Sequence, residues 1–304
     1  MLLRSGLLFA CFTTLLSPPS ACLAQAESNP GNKYVDVRTG GLPIILSVPH
    51  GGTIKEPRIP NRLYGKLIQD AETGPLSLAI VAELKRLYGA EPHLIRCLLH
   101  RSQVDCNRDL KEGAQGSHAS EAVWNQYHGA CSAARSSVTH QHGAGLLIDL
   151  HGHRHEKARV EIGCLISGSA LDQDDMTLDL DDKTISGSSI RKLIDRSGGS
   201  ASELLRGSHS LGALLEQRGF PTIPSPVSPS PSGDPYFTGG YITATHGSRD
   251  GGRVSAIQME CPWEGVRNSE ENRKRFATAL AEALGPFFEK QFGMKLGKNA
   301  NSKD

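Results

Sequence analysis

The chain has 304 residues, a formal net charge of +1 at pH 7 and 38% hydrophobic residues, the balance of an ordinary globular protein. It lacks the basic footprint of a nucleic-acid-binding protein, and no apolar run approaches the roughly 20 residues needed to cross a membrane. We therefore do not expect the protein to bind long polyanions or to insert into a bilayer.

The N-terminus is typical of a secretory signal peptide. Arg4 precedes an apolar core from Leu7 to Leu16, two prolines break that core, and Ala24-Gln25-Ala26 supplies small residues at the spacing that signal peptidase reads. We expect cleavage after Ala26, so that residues 1–26 are a signal peptide and the protein is secreted or extracytoplasmic. A mobile apolar tail or a weak membrane anchor is the alternative.

Export would leave five cysteines in an oxidising compartment. They are Cys97, Cys106, Cys131, Cys164 and Cys261. Because five is odd, at least one thiol is free or paired outside the chain. One or two disulfides within the chain are possible. No two of the five form a C-x-x-C pair, so a cysteine-based zinc site is disfavoured.

Predicted strands alternate with amphipathic helices, the pattern of a mostly parallel sheet with helices on both faces. In chain order, the predicted elements are strand 43–48, helix 73–87, strand 93–98, helix 120–138, strands 146–150 and 160–166, helix 202–217, strand 254–260 and helix 269–292. The chain has no internal repeat. We therefore expect a single domain over residues 27–292, followed by a polar tail over residues 293–304.

Two segments interrupt the alternation. Residues 172–182 carry six aspartates, and residues 221–240 are rich in Pro, Ser and Gly. The aspartate segment lacks the central Gly and terminal Glu of a helix-loop-helix calcium loop. We therefore expect it to be a solvated insertion loop.

Two predicted strands end in a histidine that is followed by glycine. His50 stands in Ser47-Val48-Pro49-His50-Gly51-Gly52, and His151 stands in Asp149-Leu150-His151-Gly152. Open α/β sheets bind ligands at these strand ends, although one such histidine alone is more typical of a turn. Asp149 and His151 share a strand face. Asp149 is thus placed to orient a metal-bound imidazole, and a purely structural pairing of Asp with His is the alternative.

Further polar residues follow other strands. Arg101, Asn107 and Arg108 come soon after strand 93–98, and such side chains suit a substrate carboxylate and a developing oxyanion. Alone, this segment would be interpreted as a surface salt-bridge cluster. Glu260 ends an alternating apolar strand, where a carboxylate is costly unless it is paired, lies near a metal or acts as a base.

Together these motifs resemble the N-formylglutamate amidohydrolase family over about residues 44–260. The matching positions are Pro49-His50-Gly51-Gly52, Asp70-Ala71-Glu72-Thr73, Arg101 with Asp105-Cys106-Asn107-Arg108, Asp149-Leu150-His151 and Gln258-Met259-Glu260. Each motif is short, but five motifs in the same order make a fairly specific signal.

The resemblance implies a zinc carboxypeptidase-like α/β fold with a mixed, mostly parallel, doubly wound sheet and one zinc ion (Zn2+) at the strand ends. It implies His50 and His151 as zinc ligands. Carboxypeptidases have a Glu three residues after the first His, where this chain has Thr53. By resemblance, Asp70 is therefore the expected third ligand and Glu72 the fallback.

The resemblance also implies the reaction, which is hydrolysis of the amide bond of an N-formyl or N-acyl amino acid by zinc-activated water. Glu260 is the expected general base, and Arg101 is expected to stabilise the tetrahedral oxyanion. Asn107 and Arg108 are expected to bind the substrate carboxylate. The supporting residues are Thr73 and Asp149, and Tyr241 either touches the substrate or is a packed aromatic.

Two other functions remain open at this point. A secreted zinc carboxypeptidase-like peptidase would use the same metal geometry, and a non-catalytic binding protein could keep the same fold. A serine hydrolase is disfavoured because the chain has no G-x-S-x-G elbow. The partner that we expect is a small carboxylate-bearing molecule, and the sequence leaves the oligomeric state open.

Overall fold

The computed structural model describes residues 33–297, so the expected signal peptide and most of the expected polar tail lie outside the described residues. The strands are β1 (Val35–Arg38), β2 (Ile44–Val48), β3 (His93–Cys97), β4 (Gly145–His153), β5 (Val160–Gly163), β6 (Thr222–Ile223) and β7 (Val254–Pro262). The helices are α1 (Thr73–Tyr88), α2 (Leu110–Ala114), α3 (His118–His142), α4 (Gly168–Leu171), α5 (Asp175–Leu180), α6 (Asp182–Gly187), α7 (Arg191–Arg196), α8 (Ala201–Arg206), α9 (Leu211–Glu216), α10 (Tyr241–His246) and α11 (Glu270–Phe287).

The strands form a single seven-stranded sheet in the order β1-β3-β2-β4-β7-β5-β6. The four central strands β3, β2, β4 and β7 run parallel to one another. β1 lies antiparallel to β3 at one edge, and β5 lies antiparallel to β7 towards the other. The predicted mixed, mostly parallel sheet is therefore confirmed.

The sheet separates two apolar clusters. Ile44 and Leu46 of β2 pack in one cluster, which also holds residues of α1 and α11. Ile45 of β2 packs in the other cluster, together with Leu147 of β4 and residues of α3. Alternate residues of a strand point to opposite faces, which explains this division. Burying each such side chain stabilises the fold by about 1.5–3 kcal/mol.

The long helices begin and end at residues suited to those positions. Gly89 follows α1 with φ 68°, as the sequence predicted, and Gly143 follows α3 with φ 77°. Both glycines adopt the left-handed conformation that ends many helices. The Ser117 hydroxyl accepts a hydrogen bond from the Ser120 amide, so α3 begins two residues before its predicted start.

Two predictions about local structure were wrong. The helix expected over residues 202–217 is divided into α8 and α9, because Ser210 accepts a hydrogen bond from the Ala213 amide and so caps a new helix. The aspartate-rich segment is not a loop, since it contains α5 and the first residue of α6. The Asp174 and Asp181 carboxylates cap these helices by accepting hydrogen bonds from backbone amides.

The five cysteines between residues 33 and 297 are all buried and carry free thiols. Burial raises the pKa of the Cys164 thiol to about 12, which makes this group unreactive. None of the helices over the described residues combines the length and the apolar character of a membrane span.

Candidate active site

Three strand ends and one loop form the site. Asp149, His151, Gln258 and Glu260 lie on the sheet face that packs against α3, at the carboxyl ends of β4 and β7. His50 follows the end of neighbouring β2. The Asp70 amide donates to the His50 carbonyl over 3.0 Å, which ties the loop before α1 to this edge of the sheet.

Three potential ligand atoms converge at this edge. The Nδ1 atoms of His50 and His151 lie 3.1 Å apart. Asp70 Oδ2 lies 3.3 Å from the first of these nitrogens and 3.1 Å from the second. All three residues are buried. The structure thus brings together the two histidines and the acid that the resemblance singled out.

Each imidazole also contacts a carboxylate through its Nε2 atom, on the side away from the converging Nδ1 atoms. Asp105 Oδ1 lies 2.7 Å from His50 Nε2, and Asp149 Oδ2 lies 2.8 Å from His151 Nε2. An anion at Nε2 keeps the proton there and leaves Nδ1 free to act as a ligand. The sequence indicated this orienting role for Asp149. Asp105 was missed in this role, although it stands inside the matched motif.

The site has an excess of negative charge. Burial opposes the ionisation of Asp70, but the charges and hydrogen bonds of His50 and His151 outweigh it and hold the pKa of Asp70 well below its usual range. Burial also disfavours a charged His151, but Asp149, Asp70 and Glu260 raise the pKa of this imidazole well above its usual range. A cluster that stabilises added positive charge in this way suits a cation.

Glu260 lies directly opposite His151 in the β4–β7 ladder. Its Oε1 accepts a hydrogen bond of 3.0 Å from Gln258 Nε2. Its Oε2 is buried and has no hydrogen-bond partner among residues 33–297. Burial and the nearby carboxylate of Asp70 raise the pKa of Glu260 to about 7, although His151 opposes the shift. The group is therefore suited to take up and release a proton near neutral pH.

The donor atoms of His50, Asp70 and His151 fit a zinc ion. Zinc takes imidazole nitrogen and carboxylate oxygen at about 2.0–2.2 Å in a tetrahedron, so its ligand atoms lie about 3.3 Å from one another. The three observed separations, 3.1 to 3.3 Å, agree with that spacing. Two imidazoles and one carboxylate also leave one tetrahedral position for water or substrate.

The neighbouring residues clarify which acid completes the cluster. The Thr73 hydroxyl donates to the Asp70 carbonyl over 2.8 Å and holds the loop in place. Arg101 Nε donates to Asp105 Oδ2 over 2.9 Å, and Arg101 Nη1 lies 3.5 Å from Asp70 Oδ1. Glu72, the fallback ligand, instead pairs with Arg273 at 3.0 Å. The geometry therefore favours Asp70 as the third ligand.

A cavity of about 100 Å³ opens onto these groups. Asn107 lies in its wall, with Oδ1 accepting from the Ile242 amide over 2.9 Å and Nδ2 lying 3.3 Å from His151 Nε2. Arg108 also lines the cavity, and its Nε donates to Glu112 over 3.2 Å. These placements suit the predicted contact with substrate, which remains a prediction.

Tyr241 lies elsewhere. It does not line this cavity, and its ring packs 5.9 Å from the Trp124 ring and 5.4 Å from the His128 ring. Two other side chains that the sequence did not single out do line the cavity. They are Lys66 and Phe237, and the Lys66 ammonium lies 5.6 Å from the centre of the Phe237 ring. Lys66 stands in no motif, and Phe237 lies in the Pro-, Ser- and Gly-rich segment over residues 221–240, whose sequence does not indicate which side chains face the site.

Comparisons with known proteins give structural similarities at low sequence identity. No family model matches the sequence, and no curated protein matches it. An N-formylglutamate amidohydrolase from Ralstonia eutropha is 13% identical with a TM-score of 0.49, and the match covers 85% of this chain and 97% of that one. A gene product of Agrobacterium tumefaciens is 14% identical with a TM-score of 0.46, covering 84% and 94%. A candidate metallopeptidase from Shewanella denitrificans is 13% identical with a TM-score of 0.35, covering 82% and 73%.

The family that the sequence motifs resemble is therefore among these similar structures. At such identities, what the site does has to be inferred from its own residues.

Proposed function

We propose that the protein is a zinc-dependent amidohydrolase that cleaves the amide bond of an N-formyl or N-acyl amino acid. The observation that carries the proposal is the convergence of His50 Nδ1, His151 Nδ1 and Asp70 Oδ2, with the unpartnered Glu260 Oε2 in the same cavity. The proposal includes the doubly wound, carboxypeptidase-like fold and export from the cytoplasm.

His50, His151 and Asp70 would hold the ion, with Asp105 and Asp149 orienting the two imidazoles. When bound, zinc supplies Lewis acidity, which polarises an amide carbonyl and lowers the pKa of water to about 7. This chemistry brings amide hydrolysis within reach at neutral pH.

Glu260 acts as the general base. Its Oε2 accepts a proton from the attacking water, and the same oxygen returns a proton to the nitrogen that leaves. Both transfers are possible because Oε2 has no hydrogen-bond partner among residues 33–297 that would hold its lone pairs. The hydrogen bond from Gln258 to Oε1 holds the carboxylate in place and keeps Oε2 on the reacting side.

The substrate side of the cavity is cationic. Arg101 is buried beside Asp70, where its guanidinium can stabilise the charge that develops on the carbonyl oxygen. Asn107 and Arg108 offer hydrogen bonds to the substrate carboxylate, and Lys66 adds a positive charge at the exposed side. The substrate is therefore expected to be an anion.

A peptidase is the second candidate, because the same donor set serves peptide hydrolysis. The size of the cavity favours the acyl amino acid, since about 100 Å³ is well below the range of about 300–1,000 Å³ for small-ligand sites and leaves little room for a longer peptide. A binding protein without activity would have no use for a carboxylate whose pKa burial raises to about 7.

The test is a substrate screen with zinc-loaded full-length protein. N-formyl and N-acetyl amino acids with acidic, neutral and basic side chains are compared with di- and tripeptides by amine release. We expect turnover of an acyl amino acid, loss of activity with a chelator and recovery with zinc. Turnover of peptides alone would favour the peptidase, and no turnover by zinc-loaded protein would contradict the proposal.

A further inference from the structure

A second group of two imidazoles and one carboxylate lies beside the first. It consists of His153, His155 and Glu161, and one potential ligand atom of each lies within 4.8 Å of the others. His153 is two residues beyond His151 on the same face of β4, and Glu161 lies directly opposite Glu260 in the β5–β7 ladder. The catalytic proposal uses none of these three residues.

Two contacts orient this second cluster. His153 Nε2 lies 2.8 Å from the Arg159 carbonyl, which can only accept, so Nε2 carries the proton and Nδ1 holds the free lone pair. His155 Nδ1 lies 2.8 Å from Glu161 Oε1. A backbone carbonyl that accepts from one ring nitrogen of a ligand histidine is a common feature of metal sites.

The Glu161 carboxylate is fully buried inside the sheet, where an anion is costly without a partner. Its nearest guanidinium nitrogen, Arg159 Nε, lies 3.8 Å from Oε1 and is itself buried without a hydrogen-bond partner among residues 33–297. The carboxylate oxygens have hydrogen-bond partners in the His155 imidazole and the Phe237 amide, and Arg159 adds only a distant positive charge, so a ligand cation would compensate the buried charge more fully.

We propose that His153, His155 and Glu161 bind a second divalent cation of the zinc class, in a structural site distinct from the catalytic one. Binding requires two adjustments. The cation replaces the His155 amide, which donates to His153 Nδ1 over 3.1 Å, and the three donor atoms move closer than 4.8 Å. His153 and Glu161 lie in the hydrogen-bonded strands β4 and β5, so both changes require movement of His155, which lies in the short connection between them.

The site would fix one wall of the catalytic cavity. Glu161 Oε2 accepts from the Phe237 amide over 2.9 Å, and the Phe237 ring stacks on the His155 ring at 4.9 Å with an angle of 9°. Phe237 lines the cavity next to Lys66. A cation held by His155 and Glu161 therefore acts on substrate binding through Phe237, without touching the substrate.

The test counts metal ions. Full-length protein is equilibrated with zinc, freed of loose metal by gel filtration and measured by mass spectrometry for zinc per chain. We expect two ions in the wild type and one in His155→Ala. His155 is only partly buried, so the variant should keep its fold, which circular dichroism checks. His118→Ala is the matched control, because it removes a fully exposed histidine that lies near a glutamate. We expect it to keep two ions.

His151→Ala separates this inference from the proposed function, because it removes a ligand of the first cluster only. We expect one ion in His151→Ala, and none when His151→Ala is combined with His155→Ala. A wild type that saturates at one ion, or a His155→Ala variant that still holds two, would overturn the second site. Loss of zinc in His151→Ala and not in His155→Ala would do the same while leaving the catalytic proposal standing.

Discussion

The two histidine clusters have the same donor set but different surroundings. In the first, buried aspartates hold the far nitrogens of both imidazoles, and a cavity opens onto the ligand atoms. In the second, a backbone carbonyl holds one imidazole, the Phe237 ring covers the other, and a guanidinium lies near the carboxylate. Glu260, whose buried Oε2 has no hydrogen-bond partner among the described residues, lines the cavity of the first cluster.

This difference shows that ligand identity alone does not distinguish a catalytic site from a structural one. A catalytic metal needs an open position and a proton acceptor beside it, whereas a structural metal needs closed, satisfied surroundings. The aspartates beside the Nε2 atoms of His50 and His151 also fix the orientation of these ligands. The first cluster meets the catalytic conditions, whereas none of the three residues of the second lines the catalytic cavity.

The largest expected effect comes from removing the proton acceptor beside the first cluster. Glu260→Gln keeps the shape of the side chain but cannot accept the proton, so we expect turnover to fall by about 10²- to 10⁴-fold, the usual contribution of general acid–base catalysis. Steady-state kinetics measure the turnover, and mass spectrometry measures the zinc content, which should not change. Glu264→Gln, an exposed change just beyond β7, is the control and should keep full activity. Near-normal turnover in Glu260→Gln would remove the assignment of the base.

The orienting aspartates offer a second contrast. Asp105→Asn retains a hydrogen-bonding side chain but loses the anion behind His50, and such changes typically weaken metal binding by about 10- to 100-fold. Zinc affinity is measured by competition with a chelator of known affinity. The control is Asp250→Asn, which changes an exposed aspartate far along the chain. An unchanged affinity in Asp105→Asn would mean that the anion does not tune the site.

The exposed side of the catalytic cavity leads to a prediction about the substrate. Lys66 is exposed and forms no ion pair among residues 33–297, so its charge is available to an anionic substrate. We expect Lys66→Met to raise KM several-fold, up to about tenfold, the equivalent of about 1.4 kcal/mol, with little change in kcat. Lys55→Met provides a matched exposed control. An unchanged KM would place the substrate anion elsewhere.

A third pair of buried imidazoles, His128 and His246, sharpens the comparison because no carboxylate between residues 33 and 297 forms a hydrogen bond with it. The rings stack, with His128 Nδ1 lying 2.8 Å from His246 Nε2. Burial lowers the pKa of His128 to about 4, and burial together with the charge of His128 lowers that of His246 to about 3. Without an anion, these imidazoles stay neutral and structural.

Since the pKa of both groups is lower in the folded state than the ordinary 6.5, the unfolded chain binds more protons below that pH. The pair is fully stabilising above about pH 6.5, and its contribution falls as the pH drops towards 4, by up to about 1.4 kcal/mol per pH unit for each group. Urea unfolding of metal-free protein between pH 7 and 4 measures the slope. His246→Phe should show a shallower slope, and an equal slope in both proteins would contradict this account.

The sequence predicted the main elements of the sheet and most of the first cluster. The reason is that parallel strands end at one edge, so histidines after separate strands meet there. His50 and His151 carry this signal clearly. Asp105 also stands in a matched motif, but its role depends on which imidazole nitrogen faces it, and sequence does not determine a tautomer.

The features that the sequence missed depend on contacts between distant segments. Lys66 and Phe237 meet only because the loop before α1 and the segment before α10 close over the same strand ends. The helix-capping roles of the aspartates at 174 and 181 were missed because their partners are backbone amides, which composition does not reveal. The short strand β1 pairs at the edge of the sheet and has only four residues, too few for a clear periodic signal.

The most direct measurement is anomalous diffraction at the zinc absorption edge from crystals of the zinc-loaded protein. The account predicts a peak within about 2.0–2.2 Å of the Nδ1 atoms of His50 and His151 and of the Asp70 carboxylate, with Glu260 facing it. A zinc-loaded protein with no peak at this position, or with zinc bound through the Nε2 atoms, would contradict it.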